Sequence, residues 1–516
     1  MIRRASFITV ILLGLIPMIF YSCKAKNLSK NLVPERAGNA PDYFCTWNLQ
    51  GYVCSNSTNE AFRYAMNEKS LFGKGKYENW VDAYPEIRKD LYFVVDDSWD
   101  IPLNANNTKD NPYLGSVELD TSRFPSFKGQ PVERLHKFVN AIKAKGWKGA
   151  GGWICAQESS IKPVSDTLAY WKKRLVDAEK AGFSYWKVDW GKESVNGRWR
   201  KQLTELGWKY APDVVIEHAL DNDFISFSDV YRTYDVENVI SQPTTIQRIA
   251  SLLDKHTNGK AKGLINCEDE PYIAAALGCA IGIMRHQFVG NFPDGKQDWC
   301  FPPVGRDIKQ RRDEVIRGVR WHRIAEPFGV GKTMYSIDTL KREDYWVFKQ
   351  RETWAYWEKG RQEGDTIRAS APARISRGLS LPKIIGSDGT DDPYVLSCRY
   401  PNGAVAIATI GRALGRSYVS KPAKVLQQLS DYNHPIGVFG VYSKLTLRFQ
   451  TSLEGKDLSI YAQDLAGNMA ENITDKVSIS GKDLIIPGDV IQEVGLRNAS
   501  RSDKSDPGLV IEIINR

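Results

Sequence analysis

The run Phe183-Ser184-Tyr185-Trp186-Lys187-Val188-Asp189 ends on a lysine and an aspartate two residues apart. Before it, Leu168, Trp171 and Leu175 recur at helical spacing until Gly182, so the chain passes from helix to a short apolar strand. Alternate residues of a strand share a face, which sets Tyr185, Lys187 and Asp189 on one side. A carboxylate closing an apolar strand is well placed to be a nucleophile. A cap on the next helix, or an ion pair with Lys187, accounts for Asp189 equally well from this stretch alone.

The elements that would position such a group repeat along the chain. Apolar runs fall at 43–52, 91–97, 147–155, 183–189, 214–218, 225–231, 263–267 and 281–289. Between many of them lie helical faces, as in Val132, Leu135, Val139 and Ile142, in Ile246, Ile249 and Leu253, and across Ile308 to Ile324. Eight strands alternating with helices predict a (β/α)8 TIM barrel over residues 42–328. No glycine-rich nucleotide loop is present. Barrel chemistry sits at the C-terminal ends of the strands. Acids stand at five of those ends: Asp96 and Asp97, Asp189, Glu217 beside His218, Asp235 after Arg232, and Glu268 with Asp269. One would be unremarkable, but five around one mouth are hard to explain as caps. An acidic mouth rimmed by aromatics suits a neutral polyhydroxylated substrate and a cationic transition state.

Beyond Gly329 short alternating segments, punctuated by Asn402-Gly403, Gly467-Asn468 and Pro487-Gly488, predict a C-terminal antiparallel β-sandwich domain over 329–516. It carries no acid cluster resembling a site and reads as a module that shields the barrel. The 516 residues exceed one usual core, in keeping with two domains. Fifteen Trp and twenty-three Tyr supply flat rings that stack on sugars or bases. The net charge of +9 is spread along the chain with no basic stripe, so nucleic acid is not an expected partner.

Arg3 and Arg4, an apolar run from Phe7 to Phe20 and then Ser22-Cys23 form a secretory leader over residues 1–22. The Ser22-Cys23 junction resembles a bacterial lipoprotein cleavage site. That resemblance implies lipid on Cys23, attachment to the envelope of a Gram-negative bacterium, and a tether over 23–41. Seven cysteines follow, without metal-ligand spacing, so a structural zinc site is not expected. Cys45 and Cys54 could pair in an oxidising compartment.

Taken in order, Tyr92-Phe93-Val94-Val95-Asp96-Asp97-Ser98-Trp99, then Asp120 with Arg123-Phe124-Pro125, Gly146-Trp147-Lys148-Gly149, Gly152-Trp153 and Tyr185-Trp186-Lys187-Val188-Asp189 resemble glycoside hydrolase clan D. The alpha-galactosidase-like families 27 and 36 are the most similar, over roughly residues 43–325. The resemblance implies Asp189 as nucleophile and Lys187 as a sugar contact. It implies Asp96 and Asp97 as ligands of the outer hydroxyls of a terminal sugar, and Trp47 and Trp153 as pocket walls. Arg232 and Glu217 would address the substrate 2-position, and Asp235 would be the acid/base. Family members carry three residues between that arginine and the acid, whereas Arg232-Thr233-Tyr234-Asp235 has two, which leaves Asp229 as an alternative donor.

The implied reaction is retaining hydrolysis of a terminal α-linked galactose-type sugar from an oligosaccharide or polysaccharide, with neither metal nor cofactor. Two carboxyls about 5 to 5.5 Å apart would carry it, and the donor would be held protonated by burial beside another acid. Transglycosylation differs only in the acceptor and is not separated by sequence. A surface glycan-binding lipoprotein on an inactive barrel is the reading from another class.

Overall fold

The computed structural model of the protein describes residues 30–53, 59–75, 78–105, 108–161, 166–233, 240–284, 312–348, 362–386, 389, 391–500 and 505–515. Eight parallel strands close on one another in chain order. They are β1 (Tyr43–Cys45), β2 (Tyr92–Val95), β3 (Gly149–Ile154), β4 (Phe183–Val188), β5 (Val215–His218), β6 (Val230–Arg232), β7 (Leu264–Glu268) and β8 (Ala280–Ile283). Helices α1 (Trp47–Val53), α2 (Asn59–Ala65) and α3 (Glu68–Phe72) follow β1, and α4 (Pro131–Ala144) follows β2. Then α5 (Thr167–Ala181) follows β3, α6 (Gly197–Tyr210) β4, α7 (Ser241–Ala250) β6, α8 (Pro271–Leu277) β7 and α9 (Arg312–Trp321) β8. The TIM barrel read from the alternation is the observed fold.

The period of two along each strand sorts its residues. Phe93 and Val95, Trp186 and Val188, and Ile216 face outward into the large core shared with the helices. Tyr43, Cys45, Val94 and Tyr185 form a separate cluster with Met284 inside the barrel. Gly151 makes room for this filling: a Cβ there would stand 2.5 Å from the Tyr185 Cβ. At Gly282 the same addition would meet the Tyr43 ring at 2.8 Å. Locally, Asp166 caps α5 by accepting from the amides of Leu168 and Ala169, and Gly182 ends it at φ 73°, where a residue without Cβ is favoured.

Three expected strands are shorter than their apolar runs. The first stops at Cys45, because Trp47–Val53 turns into α1. The eighth is described to Ile283 only. Of the run 225–231, Asn222–Phe227 is a 3-10 turn capped by Asp221 and closed by Phe224 against Phe227, so only Val230–Arg232 pairs in the sheet.

Past α9 the described chain is mostly strands, in sheets of four, eight and five. The hairpin at Asn402-Gly403 joins Tyr394–Arg399 to Val405–Ile410. The expected C-terminal β-sandwich region is present, and beside its antiparallel pairs it holds parallel ones. Val405–Ile410 runs parallel to Ile436–Phe439, and Ala423–Leu429 parallel to Tyr442–Phe449, because the links between them are long enough to return the chain in the same direction. Pro487-Gly488 opens the helix α10 (Gly488–Gly495) instead of a turn, proline serving as its cap residue.

These sheets rest on α8 and α9. The buried Arg317 guanidinium meets Asp464 at 2.9 and 3.2 Å, Arg377 donates to the Leu277 carbonyl at 2.6 Å, and Tyr400 donates to the Ala275 carbonyl at 2.6 Å. The described part of the expected tether is packed. Leu32 donates its amide to Gln463 at 2.7 Å, Gly38 to Asp90 at 3.1 Å, and Leu32, Val33 and Ala40 are buried. Apolar side chains that find a surface leave water, and here they join the C-terminal sheets to the barrel foot. The leader and Cys23 lie outside the described residues. Among the described residues no helix is long and apolar enough to cross a membrane.

Candidate active site

Asp189 follows the last residue of β4, with its amide bonded to the Ile154 carbonyl of β3 at 3.0 Å. One carboxylate oxygen accepts from Trp153 Nε1 at 3.0 Å, and the other faces Arg232 Nη2 at 3.2 Å. An indole from β3 and a guanidinium from β6, on either side of β4, thus fix the plane of the carboxylate. Behind it, Arg200 of α6 donates to the Asp189 carbonyl at 2.6 Å, so the backbone at the strand end is anchored as well. Trp153 is held in turn: Trp99 Nε1 donates to its carbonyl at 2.8 Å, and its ring lies 5.2 Å from that of Trp190.

Lys187, one pleat below Asp189, puts its ammonium 2.8 Å from Asp96 Oδ2. The Cys45 thiol donates to the same oxygen at 2.9 Å, and Asp96 Oδ1 accepts the Asp97 amide at 2.8 Å. Asp97 points the other way. Its oxygens meet Arg63 Nε of α2 at 3.0 Å and the Ser98 hydroxyl at 2.9 Å. Burial pushes the Asp97 carboxyl up, and the Arg63 charge pulls against it. Burial, then the Asp96 charge, raises the Cys45 thiol, so it remains a neutral donor. Cys45 is a free thiol, and Cys54, its suggested disulfide partner, lies outside the described residues.

Trp47 opens α1, half-buried, with its ring 4.8 Å from Phe62 and its side chain against the cluster of Tyr43, Cys45 and Met284. Met284 at the end of β8 approaches Lys187 at 3.9 Å. The structure therefore brings Asp189, Lys187, Asp96, Trp153, Trp47 and Arg232 to one end of the barrel.

Glu217 departs from its expected role at the rim. It is 0 % exposed, accepts from Tyr185 at 2.6 Å and Asn266 Nδ2 at 2.8 Å, and faces Arg232 Nε at 3.1 Å. Its strand partner is Lys187, so it lies a pleat below Asp189, in the floor. Burial raises its carboxyl while Arg232 lowers it. Glu268 completes the floor, accepting from Tyr43 at 2.7 Å with Arg232 Nη1 at 3.7 Å. Arg232 is thus one guanidinium among three carboxylates, a use of its planar fork that lysine could not reproduce.

One strand-end group, His218, does not join the site. His218 turns outward between Arg200, at 3.1 Å, and Thr204, at 2.7 Å, and burial with the Arg200 charge drives it well below the usual histidine range. Asp269 accepts the Met284 amide at 3.1 Å. The alternative donor Asp229 is corrected: it precedes β6 and accepts from Trp208 Nε1 at 3.0 Å and the Ile216 amide at 3.1 Å, at the foot of the barrel opposite the mouth. Asp235 lies outside the described residues.

Sequence reasoning did not identify Arg63, Cys45, Tyr43 or Asn266 as site residues. The alternation on β1 and β7 carries a signal for the last three, since each shares the inward face of its strand. Arg63 has none, because it comes from a helix in the long excursion between β1 and β2. Among the described residues no group of acids, histidines and cysteines could hold a metal ion.

No family model matches the chain, and no curated protein does. Solved structures similar to it include a family 27 β-L-arabinopyranosidase from Geobacillus stearothermophilus, at 11 % identity and a TM-score of 0.42 over 92 % of this chain and 96 % of that one. Alpha-galactosidase I from Mortierella vinacea is 12 % identical, with a TM-score of 0.38 over 92 % and 96 %. An alpha-galactosidase from Saccharomyces cerevisiae is 9 % identical, with a TM-score of 0.38 over 92 % and 95 %. At these values the likeness is recorded without weight, and the fold stands on its own strand pairing.

Proposed function

We propose that the protein is a retaining, exo-acting α-glycosidase of the alpha-galactosidase type. The observation that carries the reading is Asp189 at the mouth of a closed barrel, its two oxygens oriented by Trp153 at 3.0 Å and Arg232 at 3.2 Å. A carboxylate needed only for packing would not sit beside a lysine-carboxylate pair suited to hydroxyl groups.

In this reading the Asp189 oxygen attacks the anomeric carbon while Asp235 gives its proton to the departing glycosidic oxygen. The C–O bond breaks and an ester to Asp189 forms. Water, losing its proton to Asp235, then cleaves that ester and frees the sugar with its α configuration kept. Lys187 and Asp96 would grip neighbouring hydroxyls. An ammonium donates and a carboxylate accepts, the two capacities a sugar hydroxyl needs, and Asp96 has acceptor sites beyond those the protein fills. The filled floor of Tyr43, Tyr185, Glu217 and Glu268 supports a blind pocket and release of single terminal sugars.

The test is a screen of the purified protein against nitrophenyl α- and β-glycosides. Release from α-galactoside, α-N-acetylgalactosaminide or an arabinopyranoside supports the reading. Silence across these and the glucosides would favour the glycan-binding lipoprotein instead. Lipid on Cys23 and a place in the envelope of a Gram-negative bacterium belong to the same proposal, and rest on the leader and the Ser22-Cys23 junction.

A further inference from the structure

On α2, consecutive residues serve opposite sides. Arg63 reaches Asp97 Oδ2 at 3.0 Å, while Tyr64 lies 58 % exposed on a cavity of about 920 Å³ between α2, α3 and the loop after β2. Large exposed aromatics are scarce in the described residues, with Tyr335 at 39 % next in exposure. A ring with one open face is what a pyranose stacks on. The rest of the lining mixes apolar Val53 and Leu103 with polar Asn67 and Asn104, and its charges nearly balance, with Glu60 and Glu78 against Lys69 and two arginines. Lys69 and Glu78 pair at 3.4 Å, so the net field is weak. Polar groups among apolar walls offer hydrogen bonds to hydroxyls and cover for the faces of a sugar ring, with no strong attraction for an ion of either sign.

Arg63 stands between this cavity and the candidate active site, since it lines the first and holds Asp97, whose neighbour Asp96 meets Lys187 in the second. The order of the chain explains the adjacency. Asp97 stands two residues past β2, and the loop carrying Leu103, Asn104 and Ala105 continues from that same end.

We infer that this cavity is a glycan subsite that takes the neutral oligosaccharide beyond the cleaved terminal sugar, with Tyr64 as its stacking platform. The inference rests on the glycosidase reading for its place in the reaction, but not for binding itself. Stacking on an exposed ring adds affinity for longer substrates and leaves the bond-breaking step alone, so its loss appears in KM.

The experiment compares the parent with Tyr64→Ala and Asn104→Ala on raffinose and on nitrophenyl α-galactoside. The expected result is a KM for raffinose raised about tenfold, with kcat on both substrates and KM for the nitrophenyl glycoside unchanged. Equal losses on both substrates, or no change on either, would overturn the subsite. Calorimetric titration of the parent and Tyr64→Ala with raffinose and stachyose separates the two readings when no turnover is seen. Binding by the parent that Tyr64→Ala weakens about tenfold upholds the subsite while the glycosidase reading falls. Absence of binding, or equal binding by both proteins, rejects it.

Discussion

Arg232 and Asp189, on the sixth and fourth strands of the barrel, face each other at 3.2 Å with the arginine wholly buried. The same guanidinium faces Glu217 at 3.1 Å and Glu268 at 3.7 Å, so one cation organises three acids drawn from three other strands. Removing one member of a buried ionic cluster leaves the others uncompensated, which costs far more than a surface pair.

Arg232→Met is therefore expected to lower the free energy of unfolding by about 3 to 5 kcal/mol, read by denaturant titration. A loss below about 1 kcal/mol would mean that the floor acids are neutral or otherwise compensated.

Asp100, in the loop after β2, is raised from 3.8 to about 7, chiefly by burial and against the Val117 amide that it accepts at 3.2 Å. Between those values the folded protein holds a proton that the unfolded chain releases. The stabilisation from this group is full below about pH 4 and is lost as pH rises through about 7. Asp100→Asn cannot titrate, so the parent should lose on the order of 2 to 3 kcal/mol more than the variant between pH 5 and pH 8. Parallel stability curves for the two proteins would contradict this.

The Lys187 to Asp96 pair, at 2.8 Å, joins the ends of β4 and β2 where the hydroxyls of a terminal sugar would lie. An epimer at the 4-position leaves a built acceptor unfilled, so α-galactoside should be hydrolysed about a hundredfold faster than α-glucoside, compared by kcat/KM. Equal rates would refute the pocket.

The Ser22-Cys23 junction leads to a fractionation result. Cys23→Ala is expected to move the protein from the membrane fraction to the soluble one, since acyl chains supply the anchoring free energy. An unchanged distribution would mean that the apolar leader stays attached.

The barrel was legible because each of its strands is a short apolar run bounded by helical periodicity, and the acids at the strand ends were visible in the same pattern. Which acids face the mouth was less legible. His218 follows Glu217 in sequence, yet strand alternation sends one to the helices and the other to the floor. The depth of Glu217 depends on the stagger between β4 and β5, which no single strand encodes. Arg63 and the packed segment 30–42 were not legible at all, because both act through contacts distant in sequence. In the C-terminal region the alternation identified strands, but parallel or antiparallel pairing depends on the connections, and the mixed sheets follow from those.

The most direct measurement of the central claim is peptide mapping by mass spectrometry after reaction with a fluorinated galactosyl fluoride, which forms the glycosyl ester quickly and releases it slowly. The account predicts one glycosyl adduct, on the peptide that carries Asp189, and none on Asp189→Asn. An active enzyme that yields no adduct, or one labelled on a different carboxylate, would contradict it.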